Sequence, residues 1–315
     1  MSMIAVFVGL YVLFAASKLA MDMYRNRFTR ICSWNIEFFG TKNVNDHTLS
    51  YYNDIVRRIE IINPDIVCIQ EVASVHALQH VASKLQDYSL FISDNVTDNN
   101  ARGIETSGFD YVHREMNARA DGKAISQLLC NAVLVKKKIN VVRFETIHER
   151  TIKCTYYDEN IKENVSVYNI HLPSDRAQNN SASRYRILQN LLADAIDAKE
   201  NVVLCGDFNA KKHSPEIQLV MSNQFHESND IIRSLYYQKY DLTDETTASS
   251  TFWRNTNRDN LVDTIELTKI DYFFVSNPLK HHIRGGFVDT SNCIHGIDTI
   301  LNKSSDHCML VLDLS

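Results

Sequence analysis

The amino-acid sequence predicts an α/β fold in which two mixed β-sheets pack together and helices cover their outer faces. Strand-like runs outnumber helical ones, and the two kinds are interleaved without the strict alternation of a parallel sheet. Hydrophobic residues make up 44% of the 315 residues, enough for a large core. No internal repeat or obvious linker divides the chain after residue 30, so we expect one large domain.

Short apolar runs rich in valine, isoleucine and aromatic residues predict the strands. Val202–Cys205 lacks polar alternation, which is typical of a strand that is covered on both faces. A polar and irregular stretch over residues 93–126 predicts a long excursion from the core. The predicted strands are residues 30–39, 64–72, 131–147, 154–158, 164–173, 202–205, 269–277 and 306–314.

Helices are predicted where apolar residues recur at three- and four-residue spacing. Ile55, Ile59 and Ile62 fall on one face of the first helix. A serine cap opens the third helix, and Pro215 begins the fourth. The predicted helices are residues 49–62, 75–87, 181–198 and 214–223.

Residues 1–27 form a separate segment with an uninterrupted apolar run, Ile4–Ala16, and a basic flank. Extended to Met21, the run is a minimal membrane span, and the positive charge after it predicts that the domain of residues 28–315 stays in the cytoplasm. The alternative is a secretory signal peptide that is cleaved. We expect an anchor, because seven cysteines without zinc spacing indicate buried thiols in a reducing compartment.

Composition and motifs exclude several classes of function. The formal net charge is −5, so no general basic field holds nucleic acid, and a polyanion would need a local patch or bound metal. No Gly-rich phosphate loop occurs, which argues against a nucleoside triphosphatase and predicts no nucleotide cofactor. No serine or cysteine lies in a nucleophile-elbow pattern.

The stretch VVLCGDFNA carries an apolar strand directly into a carboxylate and a carboxamide. Residues two apart in an extended segment point to the same side, so we expect Asp207 and Asn209 to share one side at the mouth of the sheet. Their oxygen atoms suit Mg²⁺, with Mn²⁺ or Ca²⁺ as alternatives. An Asx-rich turn after a strand is the other interpretation.

Polar residues also interrupt other strand ends. Because strand ends gather at one edge of packed sheets, we expect these residues to form one site. Carboxylates and amides can hold a divalent cation, and two histidines near acids can move protons near neutral pH. The combination predicts metal-assisted attack of water on a phosphate ester. The residues are Asn35, Glu37, Glu71, His171, Asp207, Asn209, Asp271, Asp306 and His307.

In chain order, WNIEFFG, CIQEV, NIHLPSD, GDFNA, IDYFFV and SDH resemble the motifs of the endonuclease/exonuclease/phosphatase superfamily, in particular its deoxyribonuclease-I-like branch. The resemblance runs from about residue 30 to the C-terminus. It implies a four-layer α/β sandwich, in agreement with the pattern of strands and helices, and a metal-dependent hydrolase of phosphate esters.

The resemblance also implies a metal site. Glu71 resembles the principal metal carboxylate, and Asn35 would assist at the metal and the phosphate. Asp306 would be a further ligand or hydrogen-bond acceptor. The implied metal is Mg²⁺.

Five further residues resemble the catalytic group of the superfamily. His171 and His307 would be the proton-transfer pair, and Asp271 would orient His307. Asp207 and Asn209 would position the phosphate and the attacking water, or bind a second metal.

The chain departs from the superfamily pattern at positions that bear on the substrate. Ala73 stands where secreted deoxyribonucleases have an arginine, and Leu129 stands where abasic-site enzymes have a tyrosine. The resemblance therefore predicts the catalytic chemistry better than it predicts the substrate. The acid partner of His171 stays open among Glu105, Asp110 and Glu115.

Substrate contacts are expected from four side chains. Trp253 could stack a base and Arg254 could bind a phosphate, with core packing as the alternative for the aromatic ring. Arg176 and Arg184 follow His171 and could meet substrate phosphate, with solvated helix residues as the alternative.

We therefore expect a Mg²⁺-dependent phosphodiesterase, foremost an endonuclease on DNA or RNA, that acts as a monomer. A membrane phospholipid phosphodiesterase of sphingomyelinase type, or a phosphoinositide phosphatase, is the alternative that the N-terminal apolar run favours. A catalytically inactive binding module is the third alternative, and the complete set of acids and both histidines argues against it.

Overall fold

The structure, a computed structural model, describes residues 28–39, 46–72, 75–93, 129–148, 150–174, 180–197, 201–228, 251–253, 267–289 and 307–315. In chain order its elements are β1 (Thr29–Phe39), α1 (Asp46–Ile62), β2 (Ile66–Val72), α2 (Val75–Lys84), β3 (Tyr88–Ile92), β4 (Cys130–Lys136), β5 (Asn140–His148), β6 (Thr151–Asp158), β7 (Glu163–His171), α3 (Asn180–Asp197), β8 (Asn201–Asp207), α4 (Pro215–Ser222), β9 (Phe225–Glu227), β10 (Phe252–Trp253), β11 (Leu267–Thr268), β12 (Asp271–Ser276), a 3₁₀ helix (Pro278–His282), β13 (Ile283–Asp289) and β14 (Met309–Leu314).

Twelve of these strands form two mixed sheets of six. The first sheet has the order β13-β14-β1-β2-β4-β3, and the second has the order β5-β6-β7-β8-β12-β9. Within each sheet one pair is parallel, β1 with β2 and β7 with β8, and the other neighbours are antiparallel. Each parallel pair is joined through a helix, α1 in the first sheet and α3 in the second, as a crossover requires.

Three apolar layers separate the four structural layers. β2 illustrates the arrangement, because Val67 and Ile69 pack under α1 and α2, whereas Ile66 and Cys68 face the second sheet. This alternation of two apolar faces is expected for a strand that is buried on both sides. A third cluster lies between the second sheet and helices α3 and α4. The fold is the predicted four-layer α/β sandwich.

The predicted helices are all present, each within three residues of its expected ends. The prediction of a single strand over residues 131–147 was wrong. The chain turns at residues 137–139, where Ile139 donates its backbone N–H to the Lys136 carbonyl, and β4 and β5 belong to different sheets. The excursion predicted for residues 93–126 lies outside the described residues except for Ser93.

The predicted anchor, residues 1–27, also lies outside the described residues. Within the ranges that are described, no helix has the length and apolar character needed to span a membrane. Six of the seven cysteines are described, and all six are buried thiols outside any disulfide, in agreement with the expected buried thiols.

Candidate active site

Three neighbouring strands of the second sheet each carry a polar side chain at the same edge. β7 ends at His171, β8 ends at Asp207, and β12 begins at Asp271. Asp207 is paired with His171 on one side and with Asp271 on the other. Because paired residues lie side by side across strands, the register of the sheet brings these three predicted site residues together.

The turn after β8 requires its particular residues. Gly206 has a φ of +132°, and a Cβ there would lie 1.9 Å from the carbonyl oxygen of Ile170. Asn209 has a φ of +47°, donates its backbone N–H to Asp207 Oδ1 (2.8 Å) and donates Nδ2 to the Leu172 carbonyl (2.8 Å). The expected sharing of one side through strand alternation was therefore wrong. An Asx turn connects Asp207 and Asn209.

The first sheet contributes Asn35 from β1 and Glu71 from β2. Asn35 is fully buried, and its Nδ2 donates to Glu71 Oε1 (3.2 Å) and to Asp207 Oδ2 (3.0 Å). It therefore links carboxylates of both sheets. Glu71 has a φ of +59°, which is uncommon for a residue with a side chain and marks a functional position in many proteins.

His307 is held in one orientation from two sides. Its Nδ1 lies 2.9 Å from Asp271 Oδ2, and its carbonyl accepts a hydrogen bond from Trp34 Nε1 (3.2 Å). A carboxylate only accepts hydrogen bonds, so Nδ1 carries a proton, and Nε2 has the lone pair whenever the ring is neutral. Nε2 then presents its lone pair to the site, 3.8 Å from Asp207 Oδ2.

Thr251 positions the pair formed by Asp271 and His307, a role that the sequence did not reveal. Its side chain is fully buried, and Oγ1 accepts the backbone N–H groups of Ile270 (3.2 Å) and Asp271 (3.1 Å). Its carbonyl accepts the backbone N–H of Cys308 (2.7 Å), the residue that follows His307. One threonine thus connects the segments that carry both members of the pair.

His171 has a different partner, because Arg150 Nη1 lies 3.5 Å from its Nδ1. A guanidinium can only donate, so Nδ1 accepts and the proton lies on Nε2. Nε2 lies 3.5 Å from Glu71 Oε1 and 3.9 Å from Asp207 Oδ2. Burial and the Arg150 charge hold the pKa of His171 well below its usual value. His171 is therefore a neutral hydrogen-bond donor to the site.

Asp207 belongs to two groups of side chains that can bind a metal. One is Glu71, His171 and Asp207, the other is Asp207, Asp271 and His307, and the ligand atoms of each group lie within 4.8 Å of one another. Burial and the Asp271 carboxylate raise the pKa of Asp207 to about 7. A divalent cation would neutralise this concentration of carboxylates. Each group combines two carboxylates with one histidine, and carboxylate oxygens are ligands that suit Mg²⁺, Mn²⁺ or Ca²⁺.

Arg184 was predicted to contact the substrate, but in the structure its side chain is buried and bonds to two neighbouring segments. Its side chain is buried on α3, where Nε donates to Glu216 Oε1 (2.9 Å) and Nη1 donates to the Pro173 carbonyl (3.1 Å). Pro173 is two residues after His171, so Arg184 fixes the segment that follows β7 against α4. Trp253 lies in β10, but its side chain is outside the described part. Also outside the described residues are Glu105, Asp110, Glu115, Arg176, Arg254 and Asp306.

The sequence model of the Endonuclease/Exonuclease/phosphatase family matches residues 32–307. The chain belongs to this family. The matched range contains all the described acids and histidines of the site, from Asn35 to His307. No protein of curated function matches the chain in sequence.

Solved structures of family members share the fold. A protein of this family from Bacteroides vulgatus superposes with a TM-score of 0.62 at 14% identity, over 91% of this chain and 98% of that one. The human Nocturnin catalytic domain, with a bound sulfate anion, gives a TM-score of 0.58 at 19% identity, over 92% and 94%. D. rerio TDP2, complexed with a single-strand DNA product, gives a TM-score of 0.60 at 13% identity, over 91% and 99%.

Family membership and the acid–histidine cluster together support a metal-dependent hydrolase that acts on phosphodiester bonds. The cluster draws its acids from both sheets, and the two histidines lie beside them. Asp207 is the residue that both groups share.

Proposed function

We propose that the chain is a divalent-metal-dependent phosphodiesterase that cleaves nucleic acid, DNA or RNA, with Mg²⁺ as its metal. The observation that carries the proposal is the position of Asp207 between Glu71–His171 and Asp271–His307. A site that has acids at its centre and a histidine on either side can bind a metal and still move a proton.

Glu71 and Asp207 would hold the metal, with Asn35 beside them, because these residues bring oxygen atoms from both sheets to one place. A bound Mg²⁺ would neutralise phosphate charge and favour attack by water. Asn35 donates Nδ2 to both carboxylates in the structure, and so fixes their separation. We predict that Asp306, which lies outside the described residues, adds a ligand or acceptor.

The two histidines have separate tasks in this proposal. His307 presents the lone pair of Nε2 and is oriented by Asp271, so it accepts the proton of the attacking water as the new P–O bond forms. The P–O bond to the leaving group breaks, and the leaving oxygen takes up a proton from solvent. His171 presents the N–H of Nε2 and donates a hydrogen bond to a phosphate oxygen. Arg150 stays beside His171 and favours the same anionic group.

The preference for nucleic acid rests on one structural neighbour, and the net charge of the chain limits how that substrate could be held. D. rerio TDP2, which has the same fold, binds a single-strand DNA product in its solved structure. The net charge of −5 excludes broad phosphate neutralisation, so the substrate backbone would be held locally, by the metal and by Arg150. Arg176, Trp253 and Arg254 remain the predicted further contacts.

A membrane phospholipid phosphodiesterase or phosphoinositide phosphatase is the second candidate, and the apolar run Ile4–Ala16 is the observation that favours it. In either case we propose that residues 1–27 anchor the protein in a membrane. The catalytic domain, residues 28–315, would then lie in the cytoplasm and would be a monomer. An N-terminal sequence that begins near Lys18, or glycans on the mature protein, would show secretion instead.

The experiment is a panel of substrates offered to the full chain in mild detergent with Mg²⁺ or with excess chelator. The panel consists of plasmid DNA, RNA, sphingomyelin and phosphoinositides, and Glu71→Gln protein purified in parallel controls for contaminating nuclease. We expect cleavage of a nucleic acid that requires metal and falls sharply in Glu71→Gln. Cleavage of a lipid alone would overturn the choice of substrate, and no cleavage of any substrate would favour a binding module.

A further inference from the structure

The hydrogen bonds between β2 and its neighbouring strands do not hold the backbone at Glu71. Glu71 has a left-handed φ of +59°, and the pairing of β2 with β4 shifts register between Ile69 and Val72. The pairing of β2 with β1 also shifts register, between Asn35 and Phe39, so the ladder does not fix the conformation of Glu71 from either side. A strained residue of this kind persists only where its surroundings determine it.

Gln70 and Asn169 form a contact between the two sheets directly beside this residue. Both side chains are fully buried, and Gln70 Nε2 donates to Asn169 Oδ1 at 2.7 Å. Asn169 Nδ2 in turn donates to the carbonyls of Ile69 (3.0 Å) and Ala132 (2.9 Å). Asn169 on β7 thus bonds both to the side chain of Gln70 and to the backbone carbonyl of Ile69, the residue before it.

The same contact reaches the other side of the site through Asn131. Asn131 Nδ2 donates to the carbonyls of Arg150 (2.8 Å) and Asn169 (3.2 Å). The Arg150 carbonyl accepts the backbone N–H of His171 (3.0 Å). We define Gln70, Asn131 and Asn169 as the amide clamp. It contacts the backbone near Glu71, at the Ile69 carbonyl, and the backbone near His171, at the Arg150 carbonyl.

The amide clamp is an unfavourable choice if its only role is stability. It lies between the sheets beside an apolar cluster, where Gln70 Nε2 also donates to Ser33 Oγ (3.2 Å). Within the described part of the chain, Gln70 Oε1 and Asn131 Oδ1 accept no hydrogen bond, and a partly satisfied buried network is less stable than an apolar core. Stability alone therefore does not account for the amide clamp.

We propose that Gln70 and Asn169 are positioning residues for the metal site, which hold Glu71 in the left-handed conformation that places its carboxylate beside His171 and Asp207. The proposal rests on the proposed function, because it concerns how that site binds its metal. Loss of the clamp should move Glu71 without removing any ligand. Changes behind metal ligands typically reduce metal affinity by ~10–100-fold.

The test compares Mg²⁺ binding by isothermal titration calorimetry in the full chain and in two clamp variants. Gln70→Met keeps the bonds from Asn169 to the two carbonyls, and Asn169→Leu removes them. We expect Mg²⁺ to bind at least ~10-fold more weakly in Gln70→Met, and half-maximal activity to need correspondingly more Mg²⁺. The double variant should lose less than the product of the two single losses, because both act through one contact.

Ser166→Ala is the matched control. Ser166 lies on β7, three residues before Asn169, and its buried hydroxyl bonds to Thr155 Oγ1 (2.7 Å). It should lose stability in urea as a clamp variant does, while its Mg²⁺ affinity stays within twofold of wild type. If Asn169→Leu does not fold, Gln70→Met and the control still decide the question.

Unchanged Mg²⁺ affinity in the folded clamp variants, or an equal loss in Ser166→Ala, would overturn the positioning role and leave the proposed function standing. A wild-type protein that binds no Mg²⁺ would overturn the proposed metal chemistry and the inference with it. Weaker binding confined to the clamp variants would support both.

Discussion

Arg150 Nη1 lies 3.5 Å from Nδ1 of His171, whereas Asp271 Oδ2 lies 2.9 Å from Nδ1 of His307. A guanidinium donates and a carboxylate accepts, so the two histidines carry their protons on opposite nitrogens. Both direct Nε2 toward Asp207, one as a donor and one as an acceptor. The site therefore has one residue suited to hydrogen-bond donation and one suited to proton transfer.

This asymmetry predicts different effects of the same substitution at the two histidines. Glutamine can replace the Nε2–H donor of His171, so His171→Gln should retain a substantial part of the activity. Glutamine cannot accept a proton in place of His307, so His307→Gln should lose ~10²–10⁴-fold in kcat. The measurement is kcat for both variants on the substrate that the panel identifies, with thermal unfolding as the test of folding. Equal losses would contradict the separate tasks.

Thr251 should matter for activity through its hydroxyl. Thr251→Val leaves the backbone N–H groups of Ile270 and Asp271 without their acceptor, which should cost ~1–3 kcal/mol of stability. Because Asp271 then moves, we also expect kcat to fall by about tenfold or more. Thr251→Ser keeps the hydroxyl and should stay near wild type in kcat. A valine variant with wild-type kcat would show that Thr251 only stabilises the fold.

Gly206 should not tolerate a side chain. A Cβ would lie 1.9 Å from the Ile170 carbonyl, and the φ of +132° disfavours alanine, so Gly206→Ala should lose at least ~2 kcal/mol in the free energy of unfolding. Gly285→Ala is the control, because the nearest atom to its Cβ is Asp313 Oδ2 at 3.8 Å. Urea unfolding measures both. Similar stabilities of the two variants would contradict the described turn.

Asp65 should make the protein sensitive to acid. Burial opposes its charge, but the backbone N–H of Arg30 (3.0 Å) and the ammonium groups of Lys138 (2.9 Å) and Lys136 (3.2 Å) outweigh burial and lower the pKa of Asp65. A lowered folded pKa means that the unfolded chain binds more protons in acid. The contribution of Asp65 is therefore complete above its unfolded pKa of ~3.9 and is lost as pH falls through the folded value.

The measurement is the free energy of unfolding in urea over a pH series from about 3 to 7. Asp65→Asn should be less stable near neutral pH and should lose less stability on acidification than wild type. Glu159→Gln, at an exposed position, is the control and should retain the wild-type slope. An Asp65→Asn protein with an unchanged slope would show that other carboxylates dominate acid unfolding.

The sequence predicted the site residues best where they follow long apolar runs. Val202–Cys205 and the run that ends at His171 are buried on both faces, so a polar residue at the end of either strand stands out. Asp271 stands out for the same reason. The order of the strands in the sheet, which makes Asp207 the middle residue, follows from tertiary pairing rather than from the runs themselves.

The partners of those residues depend on register, which local patterns do not give. β6 pairs with β7 so that Thr151 is opposite Ile170, and extending this register by one residue places Arg150 opposite His171. The β6–β7 hairpin could therefore have indicated that Arg150 lies beside His171. Arg184 meets Glu216 across 32 residues, a larger separation in sequence, and Thr251 bonds to the Asp271 backbone across 20 residues.

The most direct test of the account is single-turnover cleavage of a labelled single-stranded oligonucleotide by wild type and Asp207→Asn, each with Mg²⁺ and with excess chelator. The asparagine side chain occupies the same space as the Asp207 carboxylate. It removes the negative charge that lies between Glu71–His171 and Asp271–His307. We expect wild-type cleavage to require Mg²⁺, and Asp207→Asn to lose at least ~10²-fold while remaining folded. Full wild-type cleavage in chelator, or a folded Asp207→Asn protein within a few-fold of wild type, would contradict the account.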